Sequence, residues 1–108
     1  LGRETRIRRS ILAGLTKDVI KNEYVVTTDA RAKEVRKFVD KMITYGKDGS
    51  LVSRRKALAF LQNDTVAVNK VFNELAKRYE TRNGGYTRLV KLNERKGDDA
   101  MQIRIELV

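Results

Sequence analysis

The sequence predicts a single two-layer α+β domain, in which about four helices pack on a small sheet in the order α-β-α-α-α-β-β. Apolar residues recur at helical spacing through the first three quarters of the chain, and they alternate with polar residues near its end. A length of 108 residues suits one domain with one core. We therefore expect residues 1–108 to form a single unit.

Two amphipathic stretches predict the first two helices. A four-residue apolar repeat predicts a helix from about residue 4 to 22, and the β-branched stretch 23–27 predicts a strand. Thr28 or Asp29 is expected to cap the second helix, and Gly46 to end it. The repeat in the first helix consists of Ile7, Ile11, Leu15 and Val19, and the apolar side of the second of Ala32, Val35, Val39, Met42 and Ile43.

Two further helices and a hairpin follow. Ser50 is expected to cap a third helix that runs to about Gln62, and residues 63–65 to start a fourth that supplies much of the core. Residues 86–92 and 101–107 are expected to pair as a hairpin with a turn at 97–99. The core stripe expected on the fourth helix is Val68, Val71, Phe72, Leu75, Ala76 and Tyr79.

The charge predicts a polyanionic partner. The chain has 24 Lys and Arg against 14 Asp and Glu, a net charge of +10, and the excess lies in residues 1–22, 30–62 and 78–96. It contains no cysteine and no histidine, so thiol chemistry and the usual zinc ligands are excluded. No cofactor, metal, membrane or small-molecule substrate is expected.

The stretch 78–88 is the strongest candidate site. Gly84 and Gly85 permit positive φ angles and a close approach of the backbone to a phosphate. Arg82 and Arg88 bracket the pair, and Tyr86 offers a ring on which a base could stack. The alternative is a tight helix-to-strand turn in which Tyr86 belongs to the core. No Gly-Lys-Ser/Thr follows, so the stretch is not a P-loop.

The chain resembles the L-seventeen family of bacterial-type large-subunit ribosomal proteins over essentially its whole length. The most specific match is the run from Ala76 to Arg88, which resembles the family signature A-x-R-Y-x-x-R-x-G-G-Y-T-R. Residues 1–3, 32–36, 71–75, 95–98 and 105–108 also match. The first helix departs from the family in lacking its Ser-His-Arg run, and Met101 stands where the family has proline.

This resemblance implies a non-enzymatic structural protein of the large subunit that binds rRNA and meets neighbouring ribosomal proteins near the exit of the peptide tunnel. It implies a ribosomal location, in a bacterium or in an organelle. A basic DNA-binding or nucleoid-associated module and a nuclease remain the alternatives. The expected RNA contacts are Arg3, Arg6, Arg9, Lys33, Arg36, Lys37, Arg54, Arg55, Arg82, Gly84, Gly85, Tyr86, Arg88, Arg95 and Lys96.

Overall fold

The computed structural model describes residues 2–92 and 101–108, with side chains from residue 4 onward. The described elements follow the expected α+β order. They are α1 (Gly2–Asn22), β1 (Tyr24–Thr28), α2 (Asp29–Asp48), α3 (Leu51–Phe60), a fourth helix made of α4 (Thr65–Lys70), a π-helical turn (Val71–Leu75) and α5 (Ala76–Arg78), then β2 (Thr87–Lys91) and β3 (Gln102–Leu107).

The three strands form one antiparallel sheet in the order β1-β3-β2. β2 and β3 pair as the expected hairpin, with Leu89 opposite Ile105. β1 pairs with the other edge of β3, with Val25 also opposite Ile105. The first strand is therefore hydrogen-bonded to the last, so the two ends of the described chain meet in one sheet. The expected turn at 97–99 lies outside the described residues.

The core lies between the helices and one face of the sheet. Alternate residues of β3, namely Ile103, Ile105 and Leu107, are buried, as the alternation predicts. On the helix side the buried residues include Leu12, Val19, Ile20, Val35, Val39, Met42, Ile43, Leu61, Val68, Val71 and Leu75. Burial of this apolar surface is the main contribution to the stability of the fold.

The helix ends confirm some of the expected caps and correct others. The Ser50 side chain accepts a hydrogen bond of 3.1 Å from the Ser53 N–H, as expected of an N-cap. Thr28 occupies the N-cap of α2, but its side chain makes no capping hydrogen bond. The expectation that Gly46 ends α2 is wrong, because the helix continues to Asp48 and ends at Gly49, which has a φ of 70°.

Gly46 instead lies where α2 meets the fourth helix. A Cβ at this position would come within 2.8 Å of Val71 Cγ1 and 2.9 Å of the Val71 carbonyl oxygen. Val71 begins the π-helical turn of the fourth helix. The glycine is therefore required for close packing of the two helices and not for termination.

The apolar repeat of α1 reaches the core only in its C-terminal half, where Leu15 is half-buried and Val19 is buried. Ile7 is 56 % exposed and Ile11 is 37 % exposed, so the expected stripe does not reach the core at its N-terminal end. These two side chains line an open groove together with Ala30 and Glu34 at the start of α2. In the fourth helix, Tyr79 is buried as expected, whereas Phe72 is half-buried.

Candidate nucleic-acid interface

The helix α2 lies at the centre of the basic surface. One flank faces α1 and α3, where Glu34 pairs with Arg8 and Phe38 stacks on Phe60 with ring centroids 4.7 Å apart. The other flank faces the loop 79–86, through Asp40 and Lys47. The side away from the core is left to solvent, and it carries Lys33, Lys37 and Lys41.

All three of the expected contacts on this helix are exposed. Lys33 pairs with Asp29 across one turn at 3.4 Å, and this pair is weak because both side chains are more than half exposed. Lys37 forms no ion pair with any residue between 4 and 92 or 101 and 108. Arg36 is also exposed, and its charge partly opposes the rise in the pKa of the Asp40 carboxyl that burial causes.

The first helix adds cations on the side that faces α3. Arg6 and Arg9 are exposed and line a shallow depression with Phe60 and Gln62. Within the described part of the chain neither guanidinium has an ion-pair partner. Arg3 is expected to add to this cluster, but its side chain lies outside the described residues.

The two expected arginines of α3 differ in their surroundings. Arg54 is half-buried: its guanidinium lies 5.2 Å from the centre of the Phe72 ring and donates a 2.5 Å hydrogen bond to the Asn69 side-chain oxygen. It therefore joins α3 to the fourth helix. Arg55 is exposed, and the described residues offer it no carboxylate. Arg55 is thus the more accessible of the two.

Tyr86 lies in the core, so the expectation that its ring offers a free stacking surface is wrong. The side chain is 3 % exposed, and its ring centre lies 5.1 Å from that of Tyr79. The Tyr79 hydroxyl donates to the Val108 carbonyl oxygen, and the Val108 N–H donates to the Tyr86 carbonyl oxygen. The two rings and the chain's last residue hold the loop against the domain, which is the alternative left open by the sequence.

Side-chain hydrogen bonds to backbone carbonyl oxygens hold the loop 82–86 in place. The Lys47 ammonium donates to the Arg82 carbonyl oxygen at 2.5 Å and to the Tyr86 hydroxyl at 3.1 Å. The Tyr86 hydroxyl donates to the same Arg82 oxygen at 3.1 Å. Arg82 itself donates to the Gly85 carbonyl oxygen at 3.0 Å. These bonds fix the backbone from 82 to 86 while Arg82 remains exposed.

The glycine pair faces open space. Gly84 and Gly85 have φ angles of 81° and 63°, and a Cβ at either position would meet nothing within 4 Å. Glycine is therefore favoured here because of the positive φ angles, and not because a side chain would clash with neighbouring atoms. Both glycines are exposed, and contact of their backbone with a phosphate stays a prediction.

Asp40 is a half-buried acidic group beside this loop. Burial raises the pKa of its carboxyl, against the opposing influence of Arg36 and of the Tyr86 backbone N–H. Its Oδ1 atom is buried with no hydrogen-bond partner in the described part of the chain. The pKa of Tyr86 shifts downward: burial acts to raise it, but the Gly84 N–H and the Lys47 ammonium outweigh burial.

Arg88 lies on a different surface from Arg82. It belongs to β2, and its guanidinium forms two hydrogen bonds of 3.0 and 2.8 Å with one Glu106 carboxylate oxygen. Both residues lie on the sheet face that points away from the helices. The two arginines that bracket the glycines in sequence are therefore not brought together. Arg95 and Lys96 lie outside the described residues.

Sequence reasoning missed Lys47, which holds the loop, and Asp40, which lies beside it. Each is an ordinary charged residue on the polar side of an amphipathic helix, and no local signal separates it from its neighbours. Only their positions seven residues apart, on the same flank of α2, could have suggested a shared partner.

The described residues contain no group of three acidic residues that could hold a metal ion. None of the helices in the described ranges is long and apolar enough to cross a membrane.

Comparison with known proteins decides the family. The family model described as ribosomal protein L17 matches residues 11–108. The chain belongs to the ribosomal protein L17 family. The resemblance drawn from the sequence is thereby confirmed, and this L17 family consists of ribosomal structural proteins and not of enzymes.

Individual L17 relatives match the chain over its full length. The chain is 51 % identical to the large ribosomal subunit protein bL17 of Ligilactobacillus salivarius over an aligned length of 121 residues. The alignment covers 100 % of this chain and 95 % of the relative. It is 50 % identical to the bL17 proteins of Lactococcus lactis subsp. cremoris and Streptococcus gordonii, covering 100 % of this chain and 96 % of each relative.

Proposed function

We propose that this protein is a structural constituent of the large ribosomal subunit of a bacterial-type ribosome and that residues 1–108 act as one rRNA-binding domain. Support comes from the match to the L17 family and from full-length relatives that are named as large-subunit proteins. The relatives are bacterial, which favours the first of the two expected locations. The proposed partners are large-subunit rRNA and neighbouring ribosomal proteins near the exit of the peptide tunnel.

The observation that carries the RNA-binding proposal is the set of exposed cations without carboxylate partners on three consecutive helices. A lysine or arginine held in a strong ion pair must give up that partner to bind a phosphate, whereas Arg9, Lys37 and Arg55 need not. Neutralising phosphates releases condensed counterions, which is the main source of sequence-independent affinity for nucleic acid. Arginine adds planar, two-point recognition of a phosphate.

The loop 82–86 adds a shaped contact to this charged surface. Its backbone is fixed by Lys47 and Tyr86, and it presents the exposed Arg82 beside the open Gly84 and Gly85 backbone. A loop that is already ordered loses little conformational entropy when it binds. The proposed contacts are Arg3, Arg6, Arg9, Lys33, Arg36, Lys37, Arg54, Arg55, Arg82, Gly84, Gly85, Arg95 and Lys96.

Co-sedimentation tests this function directly. The tagged protein, expressed in bacterial cells, is expected to travel with the large-subunit peak in a sucrose gradient and to be stripped only at high salt. Recovery in the soluble pool or with chromosomal DNA would contradict the proposal. In a matched binding assay, unlabelled large-subunit rRNA is expected to displace a labelled rRNA fragment, and an equal mass of duplex DNA is expected to displace it poorly.

A further inference from the structure

The outer face of the sheet, the one turned away from the helices, is unlike the rest of the surface. The registers place Tyr24, Glu106 and Arg88 in one row across the strands, and Val26, Arg104 and Val90 in the next. Tyr24 is 44 % exposed, Val26 40 % and Val90 38 %. Three apolar side chains are thus left open on a face that no described element covers.

The charges of this face are largely satisfied within the face itself. Glu106 accepts hydrogen bonds from Arg88 and lies 3.1 Å from the Arg104 Nε atom. The Arg104 guanidinium also lies 4.2 Å from the centre of the Tyr24 ring. The two rows contain no lysine, in contrast to the solvent side of α2.

This combination fits a protein partner better than RNA. Cores of protein interfaces are enriched in tyrosine and arginine and depleted in lysine, as these two rows are. A phosphate backbone would gain little from Arg88, which already forms two hydrogen bonds with Glu106, and it would lie against two valines.

We propose, resting on the function proposed above, that the outer sheet face docks a neighbouring ribosomal protein while the helix surface binds rRNA. The partner segment is expected to present apolar side chains to Val26 and Val90. It is also expected to present a carboxylate within reach of Arg104, because two arginines share the single Glu106 carboxylate. Arg88 then belongs to the protein contact and not to the RNA contact.

Site-directed photo-crosslinking tests this division of the surface. A photo-crosslinking amino acid replaces Val26 in one derivative and Lys37 in another, and each derivative is purified in large subunits before irradiation. The Val26 derivative is expected to crosslink to a different polypeptide, and the Lys37 derivative to rRNA. A Val26 crosslink to rRNA or to a second copy of this protein, or the absence of any crosslink, would overturn the proposal.

A paired substitution gives a second readout that keeps the net charge. Val26→Gln with Val90→Gln is expected to leave the affinity for protein-free rRNA within about twofold of the unchanged protein, because no cation is removed. The same variant is expected to lose at least about fivefold when it competes with the unchanged protein for incorporation into large subunits, a loss equivalent to about 1 kcal/mol. Equal loss in both assays, or loss in neither, would contradict the docking proposal. Failure of the unchanged protein to co-sediment would instead count against the proposed function.

Discussion

Lys47, the penultimate residue of α2, donates a 2.5 Å hydrogen bond to the carbonyl oxygen of Arg82 in the loop that precedes β2. The same ammonium lies 5.3 Å from the centre of the Tyr86 ring. One side chain therefore links the helix that carries the exposed lysines to the loop that carries the open glycines. The two parts of the proposed RNA surface are held as a unit before any RNA binds.

Removing this ammonium should loosen the loop without unfolding the domain. Lys47→Met keeps the length of the side chain and removes both hydrogen bonds, which together are worth about 1–2 kcal/mol in a partly exposed setting. Amide hydrogen exchange at residues 82–86 is expected to accelerate by roughly tenfold, the factor that corresponds to about 1.4 kcal/mol. Lys41→Met, on the solvent side of the same helix, is the control. Equal exchange in the two variants would show that Lys47 does not hold the loop.

The contact between Gly46 and Val71 predicts a large effect of a single methyl group. Gly46→Ala places a Cβ within 2.8 Å of Val71 Cγ1 and 2.9 Å of its backbone oxygen, so the two helices must separate. A cost of about 1–3 kcal/mol in the free energy of unfolding is expected from urea titration.

Gly14→Ala is the matched control. It also lies inside a helix, but its added Cβ meets nothing within 4 Å. Alanine has the higher helix propensity, so this variant is expected to gain about 0.5–1 kcal/mol. Loss of stability in both variants, or in neither, would contradict the packing explanation.

The half-buried carboxyl of Asp40 predicts a pH-dependent gain in stability on neutralisation. Burial raises its pKa, so its charged form opposes folding when the pH is above that pKa. Asp40→Asn keeps an oxygen near the Tyr86 N–H and removes the charge, so it is expected to be at least as stable as the unchanged protein at pH 7. The advantage should shrink as the pH falls from the raised pKa toward the ordinary value of 3.8, below which Asp40 is neutral in both the folded and the unfolded chain. An advantage that grows toward acid would contradict this account.

Glu23 predicts the opposite pH dependence. Hydrogen bonds from Arg78 lower the pKa of its carboxyl, opposed by partial burial and aided by Lys70. A lowered pKa gives stability that is present above the ordinary value of 4.5 and is lost as the pH falls through the lowered pKa. Glu23→Gln is expected to cost no more than about 1 kcal/mol at pH 7, because the pair is partly exposed. Urea titrations of the two proteins at pH 7 and pH 3 should converge at the lower pH; a constant difference would contradict the assignment.

Periodicity was enough to predict the element order and most of the core. The alternation in β3 and the stripe of the fourth helix each report burial on one face, and Ile105 and Leu75 are buried as expected. Periodicity fails where a helix runs past its neighbours, because the pattern that buries Val19 is the same pattern that leaves Ile7 exposed. It also cannot distinguish a glycine that ends a helix from one, such as Gly46, that admits a neighbouring helix.

The candidate site was harder to predict, because contacts made by residues distant in sequence decide it. Tyr86 reads locally as a stacking residue, and only its packing on Tyr79 and the hydrogen bonds through Val108 place it in the core. Arg82 and Arg88 are near in sequence, but the strand register turns Arg88 toward Glu106. The sequence correctly predicted that the cations of α2 are exposed, because the apolar stripe of an amphipathic helix determines which side faces solvent.

The salt dependence of rRNA binding tests the central claim most directly. The slope of log affinity against log salt concentration is compared for the unchanged protein, for Lys37→Gln with Arg55→Gln, and for the control pair Lys91→Gln with Arg104→Gln. Each phosphate that is no longer neutralised should reduce the slope by about 0.7–0.9, so the helix-face pair is expected to reduce it by about 1.4–1.8 and the control pair to leave it unchanged. An unchanged slope in the helix-face pair, or an equal reduction in the control pair, would contradict RNA binding by the exposed helix surface.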